Sequence, residues 1–432
     1  MGQPAQRTER RAAFATPLAA ELAADVLERF LRYVRIDTQS EVGSGTYPST
    51  AKQLDLSRLL VQELRDIGLQ DVLLTEHGYV LATLPGTVAE PVVGLLAHVD
   101  TTPECSGAGV VPLVHDCYGG GPIVLPGDPR KVLDPSDTPE LAARLGHDIV
   151  TSDGTTLLGA DDKAGVAEIM AAVAWLVRHP EVKRAPVRIG FTVDEEVSHG
   201  TDHFDLEEFG AGLAYTLDGS GFGILECESF SAKQIVITIR GRGTHTGTAK
   251  GKLVNSVKLA ADLVAALPRD RLSPETTEGR EGFVHPHRIA GSAEETTLTF
   301  IVRDHDDERL EAHVALLRRL ADDVVAREPR ARVQFDVEFQ YPNMGRAIEL
   351  HPRVVAAAVE AYRRMGVEAV SEPIRGGTDG SRLSAAGLPT PNLFTGGQDY
   401  HSVREWASVQ DMAAAAAMVV ELVQIWAEPA PL

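Results

Sequence analysis

The chain has 432 residues, 44% hydrophobic and 24% charged, an ordinary globular composition that excludes disorder over most of its length. With 41 basic against 62 acidic residues its net charge is −21, so a phosphate backbone is a poor match and nucleic acid is not an expected partner. The three cysteines, Cys105, Cys117 and Cys227, include no CxxC pair, which excludes a disulfide framework and a cysteine-rich zinc site and fits a reducing compartment.

At ~150 residues per domain, two or three domains are expected. Arg10-Arg11 before Ala12-Ala13-Phe14-Ala15 faintly resembles a twin-arginine signal, but Thr16-Pro17 cut the apolar stretch short. A disordered tail over residues 1–20 is expected instead. Apolar residues from Leu18 to Val34 recur at helical spacing, and a second helix is predicted from about Thr50 to Ile67, ended by Gly68. Short apolar runs at Val72–Leu74 and Tyr79–Leu84 precede Pro91–Ala97, which reads as a buried central strand ending in His98-Val99-Asp100. Residues 101–155 are rich in Gly, Pro and Asp and are predicted to be a long functional loop with a short helix at Pro139–Leu145. Asp161-Asp162-Lys163 opens a helix over Ala164–Arg178. Strands at Val187–Val193 and Leu213–Leu217 end in Asp194-Glu195-Glu196 and in Asp218-Gly219.

After about Phe230 the pattern changes. Strands at Gln234–Arg240, Thr296–Val302 and Val333–Phe339 alternate with helices at Val254–Leu267 and Asp307–Arg327, as in a small α+β module with its own sheet. Then follow a helix at Pro352–Arg364, a Gly-rich loop at Arg375–Gly380, a strand at Pro391–Phe394 and a closing helix at Val409–Trp426. No run of ~18 apolar residues predicts a membrane span.

One feature repeats: buried-type strands end in side chains that can bind metal. His98 and Asp100, Glu195 and Glu196, Asp218, and His401 all follow strands, and Asp161 opens a helix. Ligands of open α/β sheets gather at the carboxyl ends of strands, so these residues can converge on one crevice. Two histidines and three carboxylates could hold two divalent cations with one carboxylate bridging. Imidazole and carboxylate without thiolate suit zinc, manganese or cobalt. Such a pair activates water for hydrolysis, and one of Glu195 and Glu196 could bind metal while the other acts as base. Asp100, two residues after His98, could accept its ring N–H. Singly, each element has a plainer meaning: Asp161-Asp162 is a helix cap, Asp218-Gly219 a turn, and Lys163 a partner for a neighbouring aspartate.

At these residues the chain resembles the M20 family of metallopeptidases, and within it the M20B branch of tripeptide aminopeptidases. The matching segments are Ala97–Pro103, Thr155–Gly165, Phe191–Val197, Tyr215–Gly219, His245–Gly251, Thr277–Phe283, Ile374–Gly380 and Pro391–Gly397 leading to His401. The resemblance runs from about residue 22 to the C-terminus. It implies a split catalytic domain at 21–229 and 343–432, built on a mostly parallel sheet with helices on both faces. An inserted α+β lid and dimerisation domain would span 230–342. Two Zn2+ ions, replaceable by Co2+ or Mn2+, would be held by His98, Asp161, Glu196, Asp218 and His401, with Asp161 bridging. Glu195 would be the general base, Asp100 would orient His98, and lid His245 would reach the scissile carbonyl. Asn255, Arg303 and Arg375 would hold the substrate, Arg375 by gripping a carboxylate.

The implied activity is release of the N-terminal residue from short peptides, tripeptides favoured, by a cytoplasmic enzyme, with a homodimer through the lid. The alternatives are another hydrolase of the same family (a carboxypeptidase, a dipeptidase or an N-acyl-amino-acid deacylase) and, least favoured, a non-enzymatic peptide-binding protein. This sequence departs from the family in His245-Thr246-Gly247, where His-Pro-Gly is common, and in an extra His199, read as a solvated loop residue. Cys105 is read as a spectator. A phosphate cradle at Arg375–Gly380 lacks the necessary spacing.

Overall fold

Among the described residues, the first helix begins where Thr16 caps it. The computed structural model describes residues 14–429. Thr16 is extended, its hydroxyl accepts the Ala19 N–H at 3.1 Å, and Pro17 opens the helix Pro17–Tyr33. Of the tail expected over residues 1–20, residues 1–13 lie outside the described part, and Pro17 onward is helical. The helix Gln53–Ile67 stops at Gly68, whose φ of 110° is the left-handed conformation that glycine adopts without a Cβ penalty.

The chain divides into two units. The larger runs through Cys227 and includes Ala347–Glu372 and the residues from Thr378 onward. The smaller is Glu228–Arg346 with Pro373–Gly377.

The larger unit is built on an eight-stranded sheet in the order Val72–Leu74, Val80–Leu84, Val187–Thr192, Val93–His98, Leu213–Gly219, Asn392–Phe394, Ile224–Glu226, Val370–Ser371. The four strands from Val187–Thr192 to Asn392–Phe394 are parallel. Antiparallel pairs flank them on both sides. Every residue of Val93–His98 is buried, which is why that segment is apolar without alternation. Helix Ala160–Arg178 packs on this strand and on Leu213–Gly219, and helix Val409–Ala427 packs on Pro17–Tyr33, Ala160–Arg178 and Pro352–Arg364. Among the described residues, Val409–Ala427 is long and apolar enough to cross a membrane, but 83% of that stretch is buried in the unit, so here it is a core helix.

The long loop expected at 101–155 carries structure of its own. Leu113–His115 and Ile149–Thr151 join Trp406–Ser408 and Gly397–Gln398 in a second sheet, and Ile123–Val124 pairs with Val132–Leu133. A small core of Tyr118, Leu125, Leu133, Leu141, Ile149 and Trp406 holds them together. Strands of two or three residues leave no periodicity to read, and Ile149–Thr151 has one partner, Trp406–Ser408, about 250 residues away.

In the smaller unit four antiparallel strands stand in the order Phe283–Gly291, Glu295–Asp304, Ser231–Arg240, Arg332–Tyr341. Ile235, Ile237 and Ile239 alternate with more exposed neighbours and bury with Leu298, Phe300 and Val302 beneath helices Ser256–Ala265 and Asp307–Arg327. Strand Phe283–Gly291 was not expected, because Pro286 and two histidines interrupt its apolar pattern and a bulge follows Pro286.

Candidate metal centre

The candidate ligands of the larger unit stand at or near element termini, save His401, which lies in the loop between Gly397–Gln398 and Trp406–Ser408. His98 closes the central strand, and its side chain is 2% exposed. Its Nε2 is 2.9 Å from Asp161 Oδ1 and 3.7 Å from Asp218 Oδ1. His401 Nε2 is 3.2 Å from Asp161 Oδ2 and 2.9 Å from Glu196 Oε2. Thus His98, Asp161 and Asp218 form one cluster, and Asp161, Glu196 and His401 a second. Within each, the ligand atoms lie within 4.8 Å of one another. Asp161 is the member common to both.

The backbone around Asp161 explains its reach. Asp161 and Asp162 are non-helical, so the regular helix starts after them. Asp162 acts as the cap, its Oδ1 accepting the Gly165 N–H at 3.2 Å, and its Oδ2 accepts the His98 N–H at 3.1 Å. Asp161 is left to project. Gly165 is required by close packing, since a Cβ there would stand 1.9 Å from the Leu217 carbonyl oxygen. Lys163 does not pair with either aspartate; its buried ammonium donates to the Ile36 carbonyl at 2.7 Å.

Asp100 is fully buried and joins two parts of the site. Its Oδ1 accepts the Glu195 N–H at 3.1 Å and its Oδ2 the Glu196 N–H at 3.2 Å. His98 Nδ1 lies 3.1 Å from the Asp100 carbonyl oxygen and 3.3 Å from its Oδ1. The turn Glu195–Val197 is a short 3-10 helix preceded by Asp194 at φ 57°. Ser49 and Gln53 hold that turn: both donate to the Asp194 carboxylate, and Gln53 Oε1 accepts the Asp194 N–H at 3.1 Å.

The electrostatics are those of crowded carboxylates. Burial, aided by Asp161, pushes the Glu196 carboxyl up to about 8. Burial, with Asp218 and Asp379 nearby, holds Glu195 well above the usual range. Burial also raises Asp218. Burial opposes the charge on His401, but Asp161 and Glu196 outweigh it and bring the imidazole up to about 11. Glu196 Oε1 is buried with no hydrogen-bond partner. A partnerless carboxylate oxygen among like charges is costly, and a divalent cation is the group that satisfies it, so the residues present fit a metal pair.

Asp162, read with Asp161 as a helix cap, is that cap. Three residues here escaped the sequence reading: Asp194, Asp379 and Glu405. Asp194 looked like part of a solvated acidic run. Asp379, 4% exposed, is pushed up to about 7 by burial. Glu405, four residues after His401, accepts the backbone N–H groups of Leu158, Gly159 and Asp161. His199 is in neither cluster; it is 60% exposed and pairs with Asp202 at 2.6 Å. Cys105 is a free thiol pushed up by burial.

The other candidates belong to the smaller unit. His245 is exposed, and its Nδ1 accepts the Gly247 N–H at 3.2 Å. Asn255 caps helix Ser256–Ala265, its Oδ1 accepting from Val257 and Lys258. Arg303 donates to the Lys233 and Val302 carbonyls and lies over the Tyr341 ring. Arg375 belongs with this unit and not with the residues that surround it in sequence, because Pro373–Gly377 makes its contacts here. Its guanidinium donates to the carbonyls of Thr277, Gly279 and Glu281 and to the Thr277 hydroxyl.

Two histidines and three carboxylates gathered beside a parallel-centred sheet make a candidate centre for two divalent cations, the arrangement of a metal-dependent hydrolase. Residues 151–425 match the model of peptidase family M20/M25/M40. Peptidase T of Geobacillus kaustophilus (strain HTA426) is 48% identical over 408 residues, covering 94% of this chain and 99% of that protein. The crystal structure of aminopeptidase PepT from Bacillus cereus ATCC 10987 superposes with a TM-score of 0.71 at 22% identity, covering 94% of this chain and 99% of the other. The Bacillus subtilis YXEP protein, a dinuclear metal binding peptidase from the M20 family, gives a TM-score of 0.63 at 15% identity, covering 94% and 98%. At such identities the structural likeness speaks for the fold alone. The chain belongs to the M20/M25/M40 peptidase family, and over nearly its whole length it is similar to peptidase T.

Proposed function

We propose that this peptidase releases the N-terminal residue of tripeptides, using two zinc ions held by His98, Asp161 and Asp218 and by Asp161, Glu196 and His401. The observation that carries the reading is the Asp161 carboxylate, one oxygen 2.9 Å from His98 Nε2 and the other 3.2 Å from His401 Nε2. Two metals held by these residues would lower the pKa of a bound water and polarise the substrate carbonyl. Glu195 takes the proton of the attacking water and returns it to the leaving amine. Asp100 fixes the His98 ring and, through the Glu195 and Glu196 N–H groups, the turn that bears base and ligand.

His245 stabilises the oxyanion, and Asn255 and Arg303 hold the peptide. Arg375, with its donors on the 277–281 loop, acts by holding that loop. The unit at Glu228–Arg346 serves as lid and joins two copies. Its edge strand Arg332–Tyr341 leaves Val337 and Phe339 exposed at 47% and 58%, an edge that a second copy could cover. We place the enzyme in the cytoplasm, where its three free cysteines stay reduced.

The test is a release assay on metal-loaded protein with a tripeptide, the matching dipeptide, an N-acetylated tripeptide and an N-acyl amino acid, with Glu195→Ala as control. Release of the N-terminal residue from the free tripeptide alone, lost in the variant, supports the reading. Preference for the acylated substrates moves the enzyme to the deacylase or carboxypeptidase side of the family. Turnover that survives Glu195→Ala removes Glu195 as base.

A further inference from the structure

We propose that Glu405 is a positioning residue for Asp161, binding the backbone that carries the shared carboxylate to the segment that carries His401. The inference rests on the two-cluster reading above. Glu405 is 1% exposed and lies far from residues 158–161 in sequence. Its Oε2 accepts the N–H groups of Leu158 at 2.8 Å and Gly159 at 2.7 Å, and its Oε1 accepts that of Asp161 at 3.0 Å.

These N–H groups lie in the turn before the regular helix that Asp162 caps, and their acceptor is a carboxylate far along the chain. Charge-assisted bonds to both oxygens leave the turn little freedom to rotate. The turn is also tied through the Leu157 N–H, which donates to the Ser106 carbonyl at 3.0 Å. The Glu405 backbone is fixed in turn: its N–H donates to the Ser402 carbonyl, and Trp406 beside it is fully buried and pairs with Thr151. Because His401 lies four residues before Glu405, the contact sets the position of one ligand of the second cluster against the carboxylate both clusters share. Neither oxygen of Glu405 belongs to a ligand cluster, so its action is through Asp161.

The test is Glu405→Gln in the full-length protein, with zinc affinity measured by chelator competition and the visible spectrum of the Co2+-loaded protein recorded. Glutamine keeps one carbonyl oxygen but turns an NH2 toward backbone donors. The expected result is zinc binding weakened ~10–100-fold, the range for groups that orient metal ligands, with an altered Co2+ spectrum. A fall in thermal midpoint alone, with zinc affinity and Co2+ spectrum those of wild type, overturns the proposal and leaves Glu405 a fold-stabilising cap. Should the glutamine variant not fold, Glu405→Asp, which keeps the charge one methylene short, is judged by the same two readouts. Wild type serves as the test of the underlying reading: if it does not take up two zinc ions per chain, that reading fails, whatever Glu405 does.

Discussion

Gly165→Ala should damage the metal centre without touching a ligand. An alanine Cβ would stand 1.9 Å from Leu217 O and 2.5 Å from Asp162 Oδ1. Ordinary contact begins at 3.4 Å, so helix and strand must separate by about 3.4 − 1.9 = 1.5 Å. The obstacle is main chain, so no rotamer change relieves it. Overpacking of this kind costs ~1–3 kcal/mol, here at the upper end. The better helix propensity of alanine returns ~1 kcal/mol, leaving a net loss of ~2 kcal/mol. Leu217 precedes Asp218, and Gly165 donates to the Asp162 that also receives the His98 N–H. The displacement therefore moves Asp161 away from Asp218 and loosens His98. The measurement is the urea midpoint and zinc affinity of the variant beside those of Gly121→Ala, where an added Cβ meets nothing within 4 Å. Wild-type stability and zinc affinity for Gly165→Ala would refute the premise that close approach of this helix to the Leu217 backbone fixes the ligand geometry.

Asp100→Asn puts an NH2 where a backbone N–H must be accepted. Losing one charge-assisted bond at ~1.5–3 kcal/mol should cut kcat at least ~10-fold with little change in KM; an unchanged kcat counts against Asp100 as the anchor of the Glu195–Glu196 turn. Glu168 is fully buried, and burial holds its carboxyl protonated well above the usual range. Folded Glu168 keeps its proton while the unfolded residue ionises above about 4.5, so stability falls as pH rises, by at most ~1.4 kcal/mol per unit. The urea midpoint of Glu168→Gln should accordingly gain on wild type between pH 5 and pH 8, and a pH-independent difference would contradict the sign. His199→Ala should leave kcat/KM and metal content within about twofold of wild type, as for an exposed side chain in a surface ion pair, whereas His401→Ala should abolish binding at the second cluster.

The two side-chain clusters were legible chiefly where a member follows a strongly apolar run. His98 ends a strand buried on every residue, and Asp218 lies near the end of Leu213–Gly219, so strand-end logic alone gathers them. Helices Asp307–Arg327 and Pro352–Arg364 have the predicted bounds because their caps and periodicity are local. What was missed depends on distance. Ile149–Thr151 takes its identity from a partner at 406–408 and carries Leu113–His115 with it, and strand Phe283–Gly291 depends on its neighbour Glu295–Asp304. Glu405 acts through backbone donors, which carry no residue-type signal. Arg375 stands in a segment whose contacts, not its place in the chain, assign it to the smaller unit.

The strand Asn392–Phe394 lies between Leu213–Gly219 and Ile224–Glu226. A nascent chain that has released everything before it holds a sheet with a gap in its middle, two strands facing each other across an unfilled position. Residues from Asn392 onward close that gap and bring His401 and Glu405 with them. A chain cut before Asn392 is left with exposed strand edges and without one histidine of the second cluster, so loss of this one stretch opens the sheet and unmakes the site together.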